Sequence, residues 1–260
     1  VCLSLGFAIP FLLVPVLRRL GLSAVDSAAL AAHYGSVSVV TFDTAAGLVK
    51  ATASCQGGKV VKVTLDMPPS FVVAKDAVID TPEWGAIRYD LCFGGIFYAL
   101  IDADQIGVKI APENARELAM TGVDLRARIA AQEPALHPTT PALNGVSYVM
   151  FRSEEPDGAL RTCTTLRPGR ADRSPCGTGS NSNMAAWAAR GRVKPGDVVV
   201  SRSIIGGEFQ TEFVAETKIG PYAATQNRVS GQAWIYGISQ IGLDPTDPFP
   251  QGFTLSDTWG

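Results

Sequence analysis

Histidine is almost missing from the 260 residues: only His33 and His137 occur, which leaves few candidates for a metal cage or a cysteine–histidine pair. Paired cysteine motifs are missing too. The five cysteines, at positions 2, 55, 92, 163 and 176, are odd in number and scattered, with no Cys-x-x-Cys among them. That argues against a disulfide framework and against structural zinc, and favours a reducing, cytoplasmic setting. Neither sign of charge dominates, with Asp+Glu 24 against Lys+Arg 22, and no basic run exists to follow a phosphate backbone or an anionic membrane. Nucleic acid and membrane surfaces are therefore not expected partners. With no low-complexity tract or short-period repeat, and 47% hydrophobic against 18% charged residues, the chain has the make-up of a soluble globular protein of one large domain or two lobes.

One apolar run needs separate treatment. Residues 3–17 are almost wholly apolar and precede Arg18 and Arg19, and the chain starts with Val. A signal peptide carries its positive charge before the apolar stretch, and a membrane span needs roughly 20 apolar residues, whereas this run is shorter and holds Pro10 and Pro15. It reads as a buried helix in a chain truncated upstream.

Strand-like runs follow at 37–42, 48–54 and 59–65, the last two flanking a glycine-containing connection of hairpin length. Pro68-Pro69 breaks the pattern, and 87–91 with 96–101 give two more strands around Phe93-Gly94-Gly95. Pro112 suits the start of a helix whose stripe is Leu118, Gly122, Leu125 and Ile129. The proline-rich segment 134–141 reads as a loop, with His137 an ordinary loop residue. Strands are expected again at 147–151 and 162–166, then a helix near 178–190, then β-rich runs at 197–201, 208–215 and 229–238. The fold class expected is α/β, of the mixed α+β kind, with the later strands wrapped around the single helix near 178–190. Trp234, Tyr236 and the phenylalanines are expected in the core, and Cys55, Cys92 and Cys163, in or beside strands, as structural thiols.

Cys176 is different. It stands just before a glycine-rich helix start, Gly177-Thr178-Gly179-Ser180, and that helix ends well at Arg190-Gly191. Unpaired amides and the positive end of a helix dipole stabilise a thiolate, which could then take a proton near neutral pH. The Gly177 and Thr178 amides could receive a substrate carboxylate, as helix N-termini receive other anions. Asp172, four residues upstream, could receive a substrate ammonium. The alternative is a small buried cysteine in a tight turn.

The string Asp172-Arg173-Ser174-Pro175-Cys176-Gly177-Thr178-Gly179 resembles the second cysteine motif of the proline racemase family, which includes 4-hydroxyproline epimerases and trans-3-hydroxyproline dehydratases. Other pieces agree in order: Thr44-Ala45-Ala46-Gly47-Leu48-Val49, Phe93-Gly94-Gly95-Ile96-Phe97-Tyr98-Ala99, Ser203-Ile204-Ile205-Gly206, Glu216-Thr217-Lys218, Ser230-Gly231-Gln232-Ala233 and Asp247-Pro248-Phe249. The resemblance implies two similar lobes, each with strands curled around a central helix in the manner of diaminopimelate epimerase. Residues 1–70 would be the remnant of the first lobe, completed by 229–260, and 71–228 the second lobe. It implies an imino-acid substrate, no cofactor, no metal, and one cysteine on each face of Cα. Cys176 would take one of these two roles, with Asp172, Gly177 and Thr178 binding substrate. A homodimer is left open.

The family's first cysteine motif has only Cys2-Leu3-Ser4-Leu5-Gly6 as its counterpart. Cys2 is the candidate partner thiol, although Leu3 replaces the family's glycine and Ser4 its histidine. Ile96 stands where the resembling proteins usually have asparagine. Dehydratases of the family usually carry threonine at the position of Cys176, so its cysteine favours an epimerase or racemase. The alternatives left open are a binding-only or inactive family fragment, a trans-3-hydroxyproline dehydratase, and a hydrolase pairing Cys176 with His33 or His137.

Overall fold

The computed structural model describes residues 39–44, 47–56, 59–232, 234, 242–250 and 252. The expected hairpin is present as β2 (Gly47–Gln56) and β3 (Lys59–Asp66), preceded by β1 (Val39–Thr44) in an antiparallel meander. Eight more strands carry the rest of the main sheet. These are β4 (Ser70–Thr81), β5 (Gly85–Phe93), β6 (Phe97–Asp102), β7 (Val146–Glu154), β8 (Leu160–Leu166), β10 (Val198–Ser203), β11 (Glu208–Ile219) and β12 (Tyr222–Gly231). A two-residue β9 (Arg170–Ala171) pairs with β8 at its edge.

Sheet order runs β1-β2-β3-β12-β11-β10-β8-β7-β6-β5-β4, and β12 also pairs with β4. This last pairing, Ala224 with Phe71 and Thr225 with Ser70, closes the strands from β4 to β12 into a barrel-like ring. The β1–β3 meander hangs outside it through β3, whose residues Val63 to Asp66 pair with Gly231 to Arg228. Pairing is antiparallel except for β6 with β7 and β8 with β10.

Two α-helices complete the mixed α/β fold among the described residues. Helix α1 (Ala115–Gln132) buries Leu118, Gly122, Leu125 and Ile129, the stripe expected from spacing, against β7, β8 and β9. Gly122 is required there, because a Cβ at that position would overlap the Thr165 side chain. Helix α2 (Gly177–Ala188) is the expected wrapped helix: every residue from Gly179 to Trp187 is buried, and β4, β5, β6, β11 and β12 all pack on it.

One strand differs from expectation outright and another in where it begins. Ser70–Thr81 carries Lys75-Asp76 in its middle, where Asp76 adopts φ 54 and the register with β5 shifts between Val72 and Ala77, so no period of two survives. The last strand starts at Tyr222, not near 229, because 222–228 is mostly small and polar and reads as turn. Trp234 corrects the expectation of a core residue, being 76% exposed; Tyr236 lies outside the described residues.

At the C-terminal end of α2 the ring holds a charge cluster. Asp90, 1% exposed, accepts from Arg190 at 2.7 Å and from Arg152 at 2.9 Å, while Arg152 also reaches Asp102 at 2.7 Å and Arg190 reaches Asp76 at 2.7 Å. Burial alone would raise the Asp90 pKa, but the two guanidiniums and the Asp76 amide more than offset it and hold it below the ordinary carboxylate value. A depressed folded pKa contributes stability that is present above the unfolded value and is lost as pH falls through the folded one. Asp90→Asn therefore leaves the buried Arg152 and the half-buried Arg190 short of charge and should cost roughly 3 kcal/mol. Urea unfolding at pH 7 tests this, and the gap between variant and parent should narrow as pH falls below about 4. Equal midpoints at pH 7 would show that the cluster contributes nothing.

Candidate active site

Helix α2 begins at Gly177, with Cys176 as its cap residue at φ 65, ψ 111, and no side chain closes its first turn. The amides of Gly177 and Thr178 have no helical carbonyl upstream to bond. This end of the helix stands ready for an acceptor.

The segment leading to it is held by short-range hydrogen bonds. Asp172 takes the Ser174 amide at 2.9 Å on one carboxylate oxygen and the Ser174 hydroxyl at 3.1 Å on the other. The Ser174 oxygen in turn accepts the Cys176 amide at 3.1 Å. The Pro175 carbonyl accepts from Thr162 at 3.2 Å and Ser180 at 3.3 Å, and the Asp172 amide donates to the Thr164 carbonyl at 2.8 Å. Each Asp172 oxygen has a second lone pair beyond these bonds.

The sulfur of Cys176 has two hydroxyl neighbours. The Tyr98 hydroxyl lies 3.2 Å from Sγ and 2.8 Å from the Thr178 hydroxyl, with Sγ and the Thr178 hydroxyl 3.8 Å apart. Tyr98 comes from β6 and is 1% exposed. Burial, and then the adjacent Cys176, push its phenol well above the ordinary value of 10, so it stays protonated. Cys176 itself is half-buried.

The helix mouth sits where it does because strands approach it closely. A Cβ on Gly94 would overlap the Thr178 carbonyl and the Ser182 side chain, and one on Gly95, at φ 127, would come within 2.9 Å of the Thr178 methyl. Asn181 ties the helix to the same loop, donating to Pro68 at 2.9 Å and Gly94 at 3.0 Å. It also accepts from Asn227 of β12 at 2.7 Å. Ser174 and Pro175 share the lining of a cleft of about 700 Å³ with Val61 and Lys62 of β3.

The other thiols have different surroundings. Cys92 and Cys163 are buried; burial drives the first well above the usual thiol value, and burial with the Asp172 charge pushes the second up to about 12. Cys55 is exposed on β2. His137 packs against Phe71 and Phe93, ring centroids 5.5 and 4.6 Å away, and its Nδ1 accepts the Thr140 amide at 3.1 Å. Among its described contacts there is none with Cys176. Cys2 and His33 lie outside the described residues. Among the described residues no group of three or more His, Cys, Asp or Glu could hold a metal ion, and no helix is long and apolar enough to cross a membrane.

Sequence-selected Cys176, Gly177 and Thr178 thus meet at one helix mouth, with Asp172 joined to them through Ser174. In the sequence Tyr98 and Ser174 stand out only as parts of motifs. A signal for Tyr98 existed: a tyrosine amid the apolar run of a buried strand must find a partner for its hydroxyl.

A family model described as proline racemase matches residues 21–254. The chain belongs to that family. It is 53% identical over 223 residues to 4-hydroxyproline 2-epimerase 1 of Rhizobium rhizogenes, covering 86% of this chain and 65% of that one. It is 52% identical to the 4-hydroxyproline 2-epimerase of Rhizobium etli over the same shares. A crystal structure of a hydroxyproline epimerase from Agrobacterium vitis with bound trans-4-hydroxy-L-proline superposes with a TM-score of 0.77 at 52% identity, over 85% of this chain and 64% of that one. The chain thus spans about 65% of the length of the curated relatives it matches.

The close approach of Gly94 to α2 gives a direct test. Gly94→Ala must push the first turn of the helix away and should lower stability by about 1–3 kcal/mol, the usual range for overpacking. A thermal midpoint unchanged by the substitution would mean that the loop and the helix do not meet as described.

Proposed function

We propose that this chain racemises or epimerises proline or 4-hydroxyproline at Cα by cysteine acid/base proton transfer, without a cofactor. The observation that carries the reading is a half-buried thiol at an uncapped helix N-terminus, bordered by two hydroxyls and followed back through Ser174 to the Asp172 carboxylate. The relatives named as 4-hydroxyproline 2-epimerases support the choice of substrate.

In this reading the substrate carboxylate accepts from the Gly177 and Thr178 amides, where the helix dipole favours negative charge. The secondary ammonium donates to Asp172. Both contacts draw electron density from Cα, and the amides gain most when Cα loses its proton and charge spreads onto the carboxylate. Cys176 serves one face: as thiolate it takes the Cα proton and becomes a thiol, or as thiol it gives one and becomes a thiolate. A second thiol on the opposite face performs the complementary half, so that one proton is removed, one is delivered, and the stereocentre inverts. Cys2 is the candidate for that thiol. A secondary amine is poorly suited to imine formation, which is consistent with a mechanism that needs no carbonyl cofactor.

We also read β1–β3 as belonging to a first lobe and the ring around α2 as the second, with substrate between them. Attachment of the meander outside the ring and the cleft between β3 and the Ser174–Pro175 loop support this. The four described cysteines are free thiols, which fits a reducing compartment such as the cytoplasm.

Incubation with L-proline, and separately with trans-4-hydroxy-L-proline, in deuterium oxide tests the reading by proton NMR. Loss of the Cα–H signal with appearance of the epimer is expected for at least one substrate. Cys176→Ser should slow it by roughly 10²–10⁴, the usual weight of a general acid or base. Equal loss in Cys2→Ser would identify the partner thiol. Absence of exchange in the folded parent chain, or an unimpaired Cys176→Ser, would refute the mechanism, the first outcome favouring a binding-only role.

A further inference from the structure

Three hydroxyl or thiol groups at the helix mouth form a chain whose middle member has one proton to give. The order is Cys176 Sγ, Tyr98 hydroxyl, Thr178 hydroxyl, with separations of 3.2 and 2.8 Å. Tyr98 is enclosed, at 1% exposure, so its hydroxyl depends on protein partners. A phenol hydroxyl has one donor and accepting capacity on its oxygen, and a serine-type hydroxyl the same. Two proton arrangements run through the chain in opposite directions. With Cys176 as a thiol, S–H donates to the Tyr98 oxygen and Tyr98 donates to Thr178. With Cys176 as a thiolate, Thr178 donates to Tyr98 and Tyr98 donates to the sulfur.

We propose that Tyr98 is the positioning residue of the Cys176 acid/base thiol, a hydroxyl relay that reverses direction each time the sulfur gains or loses a proton. No proton leaves the chain in the reversal: each O–H bond rotates, and the only covalent bonds made or broken are the S–H bond of Cys176 and the Cα–H bond of the substrate, one forming as the other breaks. The relay therefore offers a partner to both states of a group that must alternate between them, while fixing Sγ in one place. Only the thiolate state receives a charge-assisted bond, which is the stronger of the two. Removing the phenol hydroxyl should accordingly disfavour the thiolate.

The rest of the local structure agrees. Tyr98 is locked by its place on β6 between β5 and β7, and its ring packs against Tyr148 with centroids 5.9 Å apart. Thr178 is held at the far end because its carbonyl accepts from Ser182 at 3.0 Å and Gly94 sits against it. Burial keeps the phenol protonated over the pH range in which a thiol titrates, so Tyr98 can donate to the thiolate instead of competing with it for a proton.

The inference rests on Cys176 being an acid/base thiol, yet its test needs no turnover. Iodoacetamide alkylation of Cys176 is followed by peptide mass spectrometry as a function of pH in the parent chain and in Tyr98→Phe, which keeps the ring. The midpoint of the alkylation profile should rise by about one pH unit in the variant, the size expected for loss of one charge-assisted hydrogen bond. Thr178→Val, which removes the outer donor, should move it in the same direction by less, and it serves alone if Tyr98→Phe does not fold. Coincident profiles in the folded variants would overturn the relay. An upward shift in a chain that exchanges no Cα proton would keep the relay and refute the proposed reaction, so the two failures are separable.

Discussion

Enclosure of α2 is the constraint on which the rest of this molecule depends. A helix buried on one face can carry large apolar residues on that face and charges on the other. A helix surrounded by a ring of strands has no solvent face for charges, and where a strand loop comes as close as Gly94 does here it has little room for large side chains. From Gly179 to Trp187 the sequence is accordingly small or polar until its last turn. Every polar side chain in it is also engaged: Ser180 with Pro175, Asn181 with Pro68, Gly94 and Asn227, Ser182 with Thr178, and Asn183 with Arg152. An unpaired member would cost on the order of 1–3 kcal/mol in such a place, so the interior polar residues specify where the helix sits.

Enclosure also divides the helix ends between two tasks. The C-terminal end is closed by charge. Arg190 donates to the Ala186 carbonyl at 3.2 Å while bridging Asp76 and Asp90, and a cation is favourable at that end of the dipole. The N-terminal end has no side-chain cap, so the positive end of the same dipole faces the mouth of the ring. Fixing one end firmly is what allows the other to be held in position while remaining unsatisfied.

Legibility in the sequence followed from how local each signal is. The helix α2, the turn before it and the stripe of α1 were readable because glycine, proline and a period near 3.6 act within a few residues. β4 was not, since its bulged middle carries Lys75 and Asp76, and Asp76 is there for Arg190, 114 residues away. The same distance in sequence hid Tyr98, whose partners lie 78 and 80 residues on. Cys176, Gly177, Thr178 and Asp172 were found together because a single loop carries all four. What the loop could not reveal is that Ser174, one link between them, holds both the carboxylate and the cysteine amide.

Backbone strain marks the same two ends. Among the described residues the non-glycine positions with positive φ are Asp76, at 54, and Cys176, at 65. Aspartate tolerates this region comparatively well, and at Asp76 the conformation presents a carboxylate to Arg190. Cysteine has no such tolerance, and its ψ of 111 lies away from the left-handed helical basin, at a cost of about 1–3 kcal/mol. Glycine would remove that cost, and the residues that follow show that glycine is accepted freely in this loop. Retaining a side chain at the strained position therefore needs a reason. The geometry supplies one: with the Cys176 amide fixed to Ser174, this backbone conformation sets Sγ within reach of the Tyr98 and Thr178 hydroxyls. The strain is confined to the one residue whose side chain the mouth of the ring has to carry.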